Sequence, residues 1–562
     1  MKKSRTIRMT LLAAVCFALT VVLAIATPAI PERSEALGGT LTVKFYDSSG
    51  AAMSGQAALD VARNKADNLS NGYQDKVISA LVNPGTLEDL NTTNTPMSPV
   101  VHSTDLAFSL PAAGSAALAL TWPTSASRGY SMVLLDNLGA GFSSSATVNF
   151  TFQAARDLKK RFDAALNSRL AATPTFAPSS AFNSSKTTLS TDFTAMMSAS
   201  TESEKGKLGW AVLSDLHATF DMLLAEYGGQ LAKYKDEHDQ GSPWLGTTFD
   251  DATSSNIGTR LGYARNATLP SGVSPNPGYG WVRIVFDVGT PLNDYDKAVK
   301  SAHSKGLLVM GMPFDSTTAR ACLPTNNPTH CTASEYQARF KSVVDHFSNN
   351  SNSAMNIDAW EVGNEINGEW IDEDPVTGTY SYGSGDMATK VATAADYVHA
   401  HTNATTVGTL YWQVPTSNRP LNSTFTWAEN NLIDTGYANK LDVVLLSTYI
   451  EDAPMGSGFD TAMSALIAMF GNKPVGLGEF DYFYTDTSRY FWSLTHLNAA
   501  STQAAARAAR PALATQAYSS MLAYPTSIGG GFWWYFQEES AGSYGTALQN
   551  AIKGVANSVY FG

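Results

Sequence analysis

The sequence predicts a (β/α)8 TIM barrel over residues 242–562, preceded by a small all-β, sandwich-like domain and a helical spacer. Three observations carry that reading. Eight short apolar runs alternate with amphipathic segments from Trp244 onward. Those runs are continuously apolar, as strands of a parallel sheet covered on both faces are. Before residue 152 the pattern changes to short runs of period two, separated by clusters of Gly, Pro, Ser and Asn. An apolar share of 44% against 15% charged is ample for such cores and excludes a disordered chain.

Taken in order, residues 1–36 read as a signal peptide and leader. A basic "MKKSRTIR" precedes the apolar stretch Met9 to Ala26, with small-residue sites at "AIA" and "SEA". The stretch approaches the minimum spanning length, so an uncleaved membrane anchor is the alternative. Cys16, after "LAAV", lies in a poor context for lipid attachment. Residues 39–152 hold the strand candidates "LTVKFYD", "LAFSLP", "AALALTWP", "YSMVLLDN" and "ATVNFTF", read as a small antiparallel domain. From 153 to 240 the period becomes helical: Ala155, Leu158, Phe162, Ala165 and Leu166 fall on one face. The Ser/Thr/Pro-rich "ATPTFAPSSAFNSSKTT" reads as a linker, and "KLGWAVLSDLHATFDMLLAEYGGQLAKYK" as a second helix.

The barrel strands are assigned to "WLGTTF", "GWVRIVFDVG", "GLLVMGMPF", "IDAWEVGNE", "VGTLYWQV", "DVVLLSTYI", "PVGLGEF" and "GGGFWWYF". A doubly wound open sheet is the competing topology, but no run is followed by a Gly-rich phosphate loop. In a barrel, chemistry sits at the C-terminal ends of the strands. There Glu365 closes the fourth run and Glu479 the seventh. Strict alternation puts Glu361, Gly363 and Glu365 on one side, and likewise Val475, Leu477 and Glu479. Both glutamates can then face the axis across the mouth. Two carboxyls in one cleft are what glycoside hydrolysis needs, one to donate a proton and one to attack the sugar carbon.

With those residues in place, the barrel resembles the clan A glycoside hydrolases through "WEVGNE" and "GLGEF". The resemblance covers the barrel only and matches no individual family along its length. It implies a retaining enzyme in which Glu365 is the acid/base, Glu479 the nucleophile, and Asn364 the amide that bonds the sugar 2-hydroxyl. It further implies Arg283, in "VRIVF", as the cation near the nucleophile, and Tyr449, in "LLSTYI", as the hydroxyl that contacts it. Trp534 is the sugar platform by the same likeness, with Trp533 open as the alternative register. Trp370 and Trp412, with Tyr482 and Tyr484, are equally core anchors or cleft-lining aromatics, since pyranose rings stack on aromatic faces. Glu361 reads as a buried partner of a cation.

The formal charge of -12 argues against nucleic acid or an anionic membrane as partner and suits a neutral carbohydrate substrate. The nine histidines show no metal-binding spacing, so neither metal nor cofactor is expected. Without the leader only Cys322 and Cys331 remain, and around "LPTNNPTH" they read as one disulfide of an exported chain, free thiols being the alternative. So short a loop would gain at most about 2–3 kcal/mol. The expected function is therefore a secreted retaining glycosidase. A transglycosylase using the same residues and a non-catalytic carbohydrate-binding protein are the alternatives.

Overall fold

The computed structural model describes residues 38–63, 77–91, 95–125, 129–270, 280–319, 331–348, 353–374, 379–449, 453–471, 473–481 and 502–561. The predicted leader, Cys16, Cys322, Tyr482 and Tyr484 lie outside the described residues. Residues from Gly38 to Gly562 form one compact unit. Among the described residues no helix is long and apolar enough to cross a membrane.

Two small sheets open the unit. One orders β3 (Val100–Val101), β4 (Leu106–Leu110), β1 (Gly39–Lys44) and β7 (Ala146–Asn149); the other orders β2 (Ser79–Val82), β5 (Ala117–Ser125) and β6 (Gly129–Leu135). Phe45 and Trp122 join the two at a ring separation of 5.1 Å, and Trp122 also meets Phe150 and Trp210 from the helices that follow. One pairing departs from the antiparallel expectation. β1 and β7 run parallel, because β7 returns alongside β1 before the chain enters a helix.

Helix α1 (Gly55–Ala62) belongs to this region, and three longer helices follow: α2 (Phe150–Leu170), α3 (Ser180–Ser198) and α4 (Glu202–Glu237). Helix α3 corrects the linker reading of its sequence. Ser179 caps it by accepting from the Phe182 N–H, and Phe182, Leu189 and Met196 bury one stripe. The hydroxyls of Thr187, Ser190, Thr191, Thr194 and Ser198 each donate to the carbonyl four residues back, so a composition that favours loops is absorbed into the helix.

The closed barrel comprises β8 (Leu245–Phe249), β9 (Gly280–Val285), β10 (Leu307–Met312), β11 (Ala359–Gly363), β12 (Thr405–Tyr411), β13 (Val443–Tyr449), β14 (Val475–Asp481) and β15 (Ser527–Trp533), all parallel. These are the eight predicted runs. Its longer helices are α5 (Ile257–Thr268), α6 (Asp296–Ser304), α7 (Ala333–Ser348), α8 (Asp386–His401), α9 (Phe459–Met469), α10 (Thr502–Met521) and α11 (Gly542–Phe561); after β12 a short helix, Thr424–Ala428, runs on into a π-helical segment, Glu429–Ile433. The lower interior is filled by Trp281, Met310, Ala359, Val407, Val443, Leu445, Ile528 and Phe532. The N-terminal helices close against the barrel. Arg169 pairs with Asp460 at 2.9 Å, and a Cβ on Gly228 of α4 would meet the Ser519 carbonyl of α10 at 2.5 Å.

Three of the barrel strands are irregular: β15, where Ser527 and Gly531 pair with Val475 and Leu477, and the two strands that carry the carboxylates. In β11 Glu361 pairs with Val407 but Gly363 pairs with Gly408. In β14 three residues span two on each neighbour: Leu477 and Phe480 pair with Leu446 and Thr448 on one side, and with Gly531 and Trp533 on the other. Each slip is a bulge that re-aims the chain beyond it. Simple alternation consequently fails at Gly363, whose missing Cβ points to Val391 of α8 at 2.4 Å. It fails again at Leu477, which packs with the helix-layer core while Gly478 and Glu479 both turn inward.

Candidate active site

Arg283 of β9 stands at the centre of the barrel mouth, fully buried. Its Nε and Nη2 donate to the two oxygens of Glu361 at 2.6 and 2.8 Å, and its Nη1 donates to Glu479 Oε1 at 2.7 Å. Burial works against the guanidinium charge, but the carboxylates of Glu361 and Glu479 outweigh it and lift its pKa above the ordinary arginine value. Glu361 is held in turn by Thr409 Oγ1, which donates at 2.5 Å. The cation is thus fixed on one side by a structural carboxylate, leaving its third arm for Glu479.

Glu479 receives two further donors. Asn364 Nδ2 reaches Oε1 at 2.8 Å and the Tyr449 hydroxyl reaches Oε2 at 2.6 Å. Burial first, then the charges of Glu479 and Glu365, push the Tyr449 phenol well above its usual range, so it remains a donor. Both oxygens of Glu479 therefore accept, one from a cation and an amide, the other from a phenol.

Glu365 has a different environment. It lies past the end of β11 with φ of 48°, in the left-handed region that non-glycine residues avoid at a cost of about 1–2 kcal/mol. The turn is locked behind it: the Gly368 N–H donates to the Glu365 carbonyl at 2.8 Å, and Asn367 exchanges bonds with Tyr411 across to β12. Its side chain accepts from Ser316 Oγ at 3.1 Å, while the Ser316 N–H donates to Asn364 Oδ1 at 2.9 Å. Burial, reinforced by the charges of Glu479 and Asp315, raises the Glu365 carboxyl well above the glutamate range. One glutamate is built to hold a proton, and the other to accept hydrogen bonds.

The aromatics separate by strand parity. Trp534 turns to the mouth, its ring 5.0 Å from the Arg283 guanidinium. Trp533, one residue earlier, is fully buried on the outer face, 5.5 Å from the Phe480 ring, and donates to Glu539 at 2.9 Å. Trp412 is likewise fully buried, against Phe425, because Thr409 and Tyr411 take the inner positions of β12. Neither Trp533 nor Trp412 presents a ring to a ligand in this conformation, which corrects their assignment to the cleft. Trp370 is half-buried, edge-on to Tyr411 at 5.0 Å in the loop after β11. Cys331 is buried and disulfide-bonded at the start of α7, and Cys322 lies outside the described residues.

Three contributors were absent from the sequence reading. Ser316 was legible in principle, as a polar residue just past the third run in "PFDSTT", and Asp315 beside it likewise. Tyr336 of α7 was not: its hydroxyl donates to the Val362 carbonyl at 2.9 Å within the β11 irregularity, a contact between distant segments.

The fold is a parallel eight-stranded barrel whose mouth carries a paired acid and carboxylate, the equipment for acid-assisted displacement at a sugar carbon. Solved structures similar to this chain include a Saccharomyces cerevisiae Gas2p mutant in complex with laminaritetraose and laminaripentaose, at 16% identity over 56% of this chain and 63% of that one, TM-score 0.32. Others are the Ignisphaera aggregans GH53 catalytic domain (13% identity, 54% and 82%, TM-score 0.33) and the endo-1,4-β-D-mannanase of Thermotoga petrophila (13%, 52% and 88%, TM-score 0.36). No protein-family model and no curated protein matches the sequence. At these scores the chemistry of the site rests on its own geometry.

Proposed function

We propose that the protein is a secreted retaining glycoside hydrolase acting on β-linked glycans. The observation that carries this is the division of labour between a proton-holding Glu365 and a Glu479 that accepts three hydrogen bonds. In the first step Glu479 attacks the anomeric carbon as the bond to the leaving oxygen breaks, and that oxygen takes the Glu365 proton. A glycosyl ester on Glu479 results. In the second step water attacks the same carbon, gives its proton to Glu365, and frees Glu479. Arg283 and Tyr449 hold the nucleophile through both steps, and Asn364, bonded to Glu479 before substrate arrives, is placed to bond the sugar beside it. The basic, apolar leader supports export. The buried, disulfide-bonded Cys331 supports a bridge to Cys322 on the loop side of the barrel.

The test is a release assay on defined β-linked oligosaccharides, β-1,3-glucans and β-1,4-mannans among them, with the anomer of the first product read by NMR. Cleavage with retention, lost in Glu479→Gln, is the expected result. Inversion would remove Glu479 as nucleophile. Binding without cleavage would leave a carbohydrate-binding protein.

A further inference from the structure

We propose that a recess between the loops after β11 and β12 is a sugar subsite on the leaving-group side of the cleft, taking the units of a neutral oligosaccharide beyond the scissile bond. The inference rests on the glycosidase reading above and adds the part of the substrate that the site grips. The recess encloses about 350 Å³ and is lined by Trp370, Tyr380, Tyr382 and Tyr411 together with Glu369 and Gln413. Trp370 and Tyr411 meet edge-on at 5.0 Å, and Tyr380 and Tyr382 stack at 4.9 Å with 16° between planes. Tyr380 is 44% exposed, so its ring is open to a ligand in the recess. Aromatic faces beside amide and carboxylate groups match the C–H faces and equatorial hydroxyls of pyranoses. Among the described residues the lining itself carries one charged group, Glu369, and the Arg419 guanidinium lies behind Tyr382, so the recess has no excess of positive charge to select an anionic sugar.

The walls are fixed before any ligand binds. Glu373 and Tyr380 form an antiparallel bridge, and the Ser381 N–H donates to the Asp372 carbonyl at 3.0 Å. Asp372 also accepts from the Gly383 N–H at 2.9 Å and from Asn422 Nδ2 at 2.8 Å, tying one loop to the other. The Arg419 guanidinium covers Tyr382 at 4.0 Å and donates to its hydroxyl at 3.1 Å. Such preorganisation lowers the ordering cost of binding.

Its position gives the side. Beyond Glu365 the chain makes one turn, closed by the Gly368 N–H, and enters the recess at Glu369 and Trp370. Trp534 follows β15, which stands across the ring of strands from β11, and Glu479 lies on the adjacent β14. With the attacked sugar between Glu479 and Trp534, the group that departs past the Glu365 proton is directed toward the recess.

The experiment uses the full chain, wild type against Trp370→Ala and Tyr380→Ala. Substrates are β-1,3- and β-1,4-linked gluco- and manno-oligosaccharides of two to six units and the matching glycosyl fluorides, whose leaving group is too small to reach the recess. We expect each substitution to lower kcat/KM on the longer chains roughly threefold to tenfold more than on the fluoride. Equal losses on both, or none on either, overturn the subsite while leaving the glycosidase reading intact. Calorimetric binding of the same oligosaccharides to Glu479→Gln is the second readout. Binding weakened by Tyr380→Ala in that background sustains the subsite even if the wild type cleaves nothing, a result that would sink only the hydrolase reading. No binding of any of the series overturns the subsite.

Discussion

The lower and upper halves of the barrel interior are built by the same strands two residues apart, yet they are opposites. On β9 the inner residue changes from Trp281 to Arg283, on β11 from Ala359 to Glu361, and on β12 from Val407 to Thr409. About 6.6 Å of strand separates a dry apolar layer from a buried ion cluster. The lower layer is packed for stability, with Trp244 stacked on Trp281 at 4.0 Å below it. The upper layer is costly, since buried ions repay their desolvation only with full pairing. Arg283 and its two glutamates come close to that, and what remains unbalanced is the proton on Glu365. The difference teaches where to look for chemistry in such a barrel: at the layer where packing is given up.

If the halves are distinct, substitutions should separate stability from turnover. The largest loss is expected from Glu479→Gln and Glu365→Gln, each lowering kcat by about 10³-fold. Glu365→Gln should leave the denaturation midpoint little changed at acid pH, whereas Glu479→Gln, which takes one of its two carboxylates from the buried Arg283, should also lower it. The Glu365 variant should regain much of the rate on a substrate whose leaving group needs no proton, and Glu479→Gln should not. Next in size is Glu361→Gln, which leaves Arg283 short of a countercharge and should cost about 3–5 kcal/mol in denaturant unfolding. A stability change below 1 kcal/mol there would break the view of Glu361 as the anchor of the cation.

The pH dependence gives a smaller, signed effect. Glu365 must be protonated to donate, and its pKa is raised, so kcat/KM should fall on the alkaline side at a pH above the ordinary glutamate range. The Gln variant should lack that limb. A raised folded-state pKa also means that the stability tied to the Glu365 proton is present at low pH and lost as pH rises through that value. Glu365→Gln should therefore gain stability over wild type at alkaline pH and not at acid pH. Smallest is Ile528→Val in the lower layer, expected to cost about 0.5–1.5 kcal/mol and leave kcat unchanged. A change in kcat there would couple the two layers.

Much of this layout was legible in the sequence, because eight apolar runs of strand length, each ending in polar residues, leave few other folds. The pair Glu365 and Glu479 stood out because each closes a run on a residue that a buried strand would not otherwise carry. The route to the mouth was not legible. Alternation counted from Glu361 and Val475 reaches the right glutamates through the wrong face at Gly363 and Leu477, since a bulge leaves no mark in the apolar pattern. The same limit explains Trp412 and Trp533, whose type suggests a sugar platform while their parity sends them to the helix layer. Helix α3 was hidden by its Ser and Thr content, and Tyr336 by its distance along the chain from the strand it supports.

The claim on which the account turns is that Glu479 is the residue that bonds to the sugar. A 2-deoxy-2-fluoroglycosyl fluoride of the sugar the enzyme accepts slows both steps, but its good leaving group lets the ester form and accumulate. Peptide mass spectrometry of the inactivated protein should then place a single glycosyl adduct on the peptide containing Glu479, with none in Glu479→Gln. An adduct on Glu365 or Glu361, or steady turnover of natural substrate by an enzyme that never forms one, would contradict it.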